Sequence, residues 1–101
     1  MDYETYVVEN RSGRTDCVEK HDGLVVALVA WESKAQSLPY NSRARAVLRS
    51  RQGAELIWIE SGDAGYVAGP LAEAYLPERD SEEINAPRKV VEVIRRAVDA
   101  E

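Results

Sequence analysis

Leu24 to Trp31 reads LVVALVAW, and the conformation of this run decides the fold. An uninterrupted apolar run fits a strand buried on both faces or a buried helix, because periodicity alone does not separate them. Three valines and a tryptophan in a run of strand length favour a strand. The polar tail Glu32-Ser33-Lys34-Ala35-Gln36 would extend a helix instead. The balance predicts a strand over 24–31.

Upstream, Tyr3 to Glu9 (YETYVVE) is rich in aromatic and β-branched residues and reads as a strand. Asn10-Arg11-Ser12-Gly13 is a turn, since Asn and Gly tolerate positive φ. Arg14 to Lys20 returns as a second strand, with Glu9 and Arg14 as a cross-strand charge pair. His21-Asp22-Gly23 is a second tight turn.

Downstream, Pro39 disfavours helix at the residue before it and marks a break over 37–41. Ser42 is placed to cap a helix running to Gln52, with Gly53 just beyond its end. Ala54 to Glu60 (AELIWIE) is a strand. Ser61 to Gly65 is a turn, and Tyr66 to Ala68 a short edge strand. Leu71 to Leu76 reads as one helical turn or an irregular packed segment. Glu78 to Glu83 is a charged loop. Pro87 opens a last helix, in which Val90, Val91, Val93, Ile94, Ala97 and Val98 share one arc.

These elements predict a single α+β domain over residues 1–101. A small antiparallel sheet of four to five strands carries two helices packed mainly on one face, and the other face is left for a partner. Leu, Ile and Val together number 23 of 101 residues, just above the level of about 20% below which chains tend to disorder. The core is therefore thin, and a homodimer or a protein partner is the natural remedy.

Composition narrows the function. No apolar run is long enough to cross a membrane. The acidic, polar start Met1-Asp2-Tyr3-Glu4 does not read as a secretory signal, so the expected location is cytoplasmic. One cysteine and one histidine cannot form an ordinary Cys/His zinc site. No cofactor and no particular metal site is expected, although the many carboxylates leave oxygen-ligand sites for Mg²⁺ or Ca²⁺ open. The net charge of −5 argues mildly against non-specific nucleic-acid binding, which uses clustered positive charge.

Four groups of residues carry the remaining chemistry. Arg43, Arg45, Arg49 and Arg51 spread over a helix surface if that segment is helical; on a strand they share one face around Val47 and form an anion or nucleic-acid surface. Glu60, Gly62, Asp63 and Gly65 follow a strong strand, where ligand loops often lie, yet their spacing matches no phosphate-binding fingerprint. Cys17 and His21 are too far apart along an extended chain to act as a nucleophile and base. Glu78, Asp80, Glu82 and Glu83, with Tyr66 and Tyr75, are the candidate partner-binding set, since tyrosines are enriched at interfaces.

The function expected from this pattern is a non-enzymatic interaction protein that binds another macromolecule. One version is an acidic inhibitor of a nucleic-acid-processing complex. The alternatives are a nucleic-acid-binding domain using the 43–51 arginines and a small enzyme or ligand-binding protein with its site at Glu60–Gly69.

Overall fold

A computed structural model describes residues 2–38, 43–60, 66–78 and 85–100. Five antiparallel strands form one sheet: β1 (Tyr3–Glu9), β2 (Thr15–His21), β3 (Ala44–Ser50), β4 (Glu55–Glu60) and β5 (Val67–Ala68), in the order β2-β1-β3-β4-β5. The helices are α1 (Leu24–Gln36), α2 (Pro70–Tyr75) and α3 (Pro87–Asp99). The architecture is α+β, as expected. Two segments exchange roles within it.

Residues 24–31 form the first part of α1 rather than a strand. The apolar run holds a helical spacing inside it. Ala27, Leu28, Trp31 and Ala35 are buried and fall on one side of the helix. The Trp31 indole N–H donates to the Ala46 carbonyl at 2.9 Å, which ties α1 to the central strand. A helix here also uses the polar tail, which carries α1 on to Gln36.

The predicted helix from Ser42 to Gln52 is instead β3. Its pairing partners decide the matter. β3 lies between β1 and β4, with Tyr6 opposite Val47 and Val47 opposite Trp58. Helix-forming Ala, Arg and Leu are overridden by strand partners on both sides. Gly53 does adopt positive φ, at +91°, but in the turn between β3 and β4. Ser42 lies outside the described residues.

Pleating sends Ala46 and Leu48 of β3 and Ile57 and Ile59 of β4 to the helix side. There they join Ala27, Leu28 and Trp31 of α1, Val67, Ala72 and Leu76, and Val90, Val91 and Ile94 of α3. Full burial of a side chain such as Leu28 or Ile57 contributes about 1.5–3 kcal/mol. α1 packs over β1, β2 and β3 and against α3, while α2 packs over β4 and β5 and also against α3. α1 and α2 thus cover one face, and α3 packs against both of them.

Gly69 is fixed by two constraints at once. Its φ is +117°, and an added Cβ would lie 2.6 Å from the Leu56 carbonyl oxygen and 2.9 Å from Ile57 Cα. The chain can only enter α2 this close to β4 without a side chain.

His21, expected in a turn, ends β2, and its Nε2 lies 3.0 Å from the hydroxyl of buried Thr5. Arg14 pairs with Asp16 at 3.3 Å rather than with Glu9. Edge strand β2 contains an irregularity opposite Tyr6, where the register shifts and Cys17 has φ +57°. Such bulges disfavour edge-to-edge pairing.

Candidate functional site

Two surfaces carry the chemistry available on this fold. The first is the sheet face away from the helices. Alternation puts Glu4 and Tyr6 of β1 and Arg45, Val47 and Arg49 of β3 on this face, with Trp58 and Glu60 of β4. The register shift at the end of β3 brings Glu55 opposite Arg49.

The middle row, Tyr6-Val47-Trp58, is apolar, and it is covered by the arginines on either side. The Arg49 guanidinium lies over the Tyr6 ring at 5.0 Å, and that of Arg45 over Trp58 at 5.6 Å. Both are cation–π contacts. Arg49 also pairs with Glu4. Arg45 pairs with Glu55 at 3.3 Å and approaches Glu60 at 3.5 Å. Burial pushes the Tyr6 phenol above its ordinary range, against the lowering effect of nearby Arg49.

Arg45 and Arg49 therefore share one face around Val47, as their strand placement requires. Their charge is already met by three glutamates, so this row is not an open anion surface. Arg43 and Arg51 flank β3 on either side.

The second surface is the outer side of α1. An ordinary surface helix has one apolar stripe; in α1 the first eight residues, Leu24–Trp31, are all apolar, and polar residues come only after them at Glu32, Ser33, Lys34 and Gln36. Val26 is 61% exposed and Val29 43% exposed. Beside them lies a cleft of about 680 Å³ between α1 and the β2 side of the sheet. Its apolar lining includes Val7, Val29, Leu38 and Ala44, and Asp16 and Glu19 bring carboxylates from β2.

Lys34 stands at the base of this cleft, with its side chain only 7% exposed, and its ammonium donates to Glu19 at 2.5 Å. That hydrogen bond and the lysine charge hold the Glu19 carboxyl below its ordinary range.

The other candidate residues are dispersed. Glu60 lies on the open sheet face near Arg45. Gly62, Asp63 and Gly65 lie outside the described residues, as do Asp80, Glu82 and Glu83. Glu78 is exposed, Tyr66 is 45% exposed, and Tyr75 packs partly against the core. Cys17 is exposed on β2, and His21 is engaged with Thr5. Among the described residues, no group of three or more His, Cys, Asp or Glu is placed to hold a metal ion. No described helix is long and apolar enough to cross a membrane.

The exposed valines of α1 were not among the sequence candidates. Their signal was present in LVVALVAW, which is too apolar for a helix that covers a single sheet face. No protein-family model, no curated protein and no solved structure matches this chain.

Proposed function

We propose that this chain is a non-enzymatic interaction module that binds another protein through the outer side of α1. The supporting observation is the pair Val26 and Val29, exposed beside an apolar cleft on a helix whose first eight residues, Leu24–Trp31, are all apolar. Exposed apolar surface of this kind, edged by charge, suits a protein partner better than a nucleic acid. The net charge of −5 favours a partner segment that carries basic residues beside its apolar ones. An acidic inhibitor of a nucleic-acid-processing complex is one protein of this type.

The test compares the tagged wild-type chain with the double variant Val26→Glu/Val29→Glu in capture from the source cell. A stoichiometric protein retained by wild type and lost by the variant supports the proposal. Equal retention by both places the binding surface elsewhere. Sedimentation of the purified chain shows whether the occupant is a second copy, and concentration-dependent association abolished by the variant would identify it as such.

A further inference from the structure

One end of the sheet gathers positive charge that the ion pairs described above do not consume. Lys20 near the end of β2, Arg49 at the end of β3 and Arg51 in the following turn line a cleft of about 550 Å³ with Tyr3, Glu4, Ser50 and Gln52. A cleft of this size is in the range that holds a small molecule. Three cations face a single carboxylate, Glu4, which pairs with Arg49. Lys20 and Arg51 meet no carboxylate within ion-pair distance among the described residues.

The contrast with the other clefts is informative. The groove between α1 and α3 balances Arg88, Arg95 and Arg96 against Glu32, Glu92 and Asp99. The α1–β2 cleft has two carboxylates and one lysine. Only the Lys20–Arg51 cleft, among these three, carries an excess of positive charge, and it does so on a chain of net charge −5.

The cleft is also partly preorganised. Stacking on Tyr6 and pairing with Glu4 hold the Arg49 guanidinium in place. Arg51 is anchored at its backbone, where its N–H donates to the Asp2 carbonyl at 2.8 Å. The Ser50–Gly53 turn is closed by the Gly53 N–H on the Ser50 carbonyl at 2.9 Å. Ordered cations lose less freedom when an anion arrives.

We propose that this cleft binds a phosphate group, with Lys20 and Arg51 as its free cations and Arg49 as a guanidinium shared with Glu4. Charge-assisted hydrogen bonds from arginine and lysine are the usual means of holding a phosphate. Glu4 opposes the ligand, since it repels the anion and competes for Arg49. The carrier is either a small phosphorylated molecule or the phosphate of a nucleic-acid strand.

The experiment is an amide-resolved NMR titration of the full chain with inorganic pyrophosphate, with a 5′-phosphorylated hexanucleotide and with the same hexanucleotide unphosphorylated, each at matched ionic strength. The expected result is saturable shifts at Tyr3, Lys20 and Ser50–Gly53. Arg51→Ala and Lys20→Ala each weaken binding by about 5- to 10-fold, and Glu4→Gln tightens it. Arg51 lies in an exposed turn, so its variant tests the cleft without disturbing the core. Pyrophosphate equal to or better than the phosphorylated strand identifies a small-molecule carrier, and a stronger, salt-steep response to the strand identifies nucleic acid. Shifts spread over Arg11, Arg88 and Arg95, binding unchanged in Arg51→Ala, or responses matched by sodium chloride would overturn the proposal.

Discussion

Val47 and Leu48 are neighbours on β3, both fully buried, and they are buried by different things. Leu48 belongs to the apolar cluster that α1 and α3 close from above. Val47 lies on the opposite face, in a row with Tyr6 and Trp58, with Arg45 and Arg49 on either side of it. One face is closed by helices and the other by the long side chains of its own strands, whose stems cover apolar surface while their charged ends meet Glu4, Glu55 and Glu60. A face expected to need a partner is largely covered from within. Val26 and Val29 leave exposed apolar surface on the helix layer, while on the sheet Val18 of β2 is exposed too.

This contrast predicts a steep difference in cost. Trp31→Ala removes the largest fully buried side chain and leaves the Ala46 carbonyl without its indole donor. It should destabilise the chain by about 3–5 kcal/mol in urea unfolding. Gly69→Ala comes next: the positive φ alone costs about 1–3 kcal/mol, and the close approach to Leu56 and Ile57 adds to it.

On the open face the effects are smaller and depend on the stem. Arg49→Ala uncovers Tyr6 and should cost about 1 kcal/mol. Arg49→Met keeps an apolar cover and should recover part of that loss. Equal losses in both variants would mean that charge, not cover, closes this face.

The smallest effect concerns acid. Lys34 holds the Glu19 carboxyl below its ordinary range. A depressed carboxylate contributes stability above its unfolded pKa of about 4, and that contribution is lost as pH falls through the lower folded value. Glu19→Gln should therefore be less stable than wild type near neutral pH and converge with it in acid. A constant difference across the pH series would show that the Lys34–Glu19 pair contributes nothing ionic.

How much of this was legible in the sequence depends on whether local signals agreed with tertiary ones. β1, β4 and α3 were legible because their hydrophobic spacing and end signals point the same way. The exchanged pair was not. In α1, valines signal strand locally, while burial of Ala27, Leu28, Trp31 and Ala35 against the sheet selects helix. In β3, arginine and alanine signal helix, while pairing on both sides selects strand. The period-2 placement of Arg43, Arg45, Arg49 and Arg51 was visible and fits that strand. The partners of these arginines were not, because Glu4 is 45 residues away from Arg49 in sequence. The α+β class survived because one helix and one strand were exchanged.

The most direct test of the central claim, that the outer side of α1 is a free docking surface and not part of the chain's own core, is the thermal melting of purified Val26→Glu/Val29→Glu beside wild type. A cooperative transition with Tm within a few degrees of wild type is expected, since exposed substitutions change stability by only about 0.5 kcal/mol each. Loss of the cooperative transition would contradict the claim, because those valines would then be holding the monomer together.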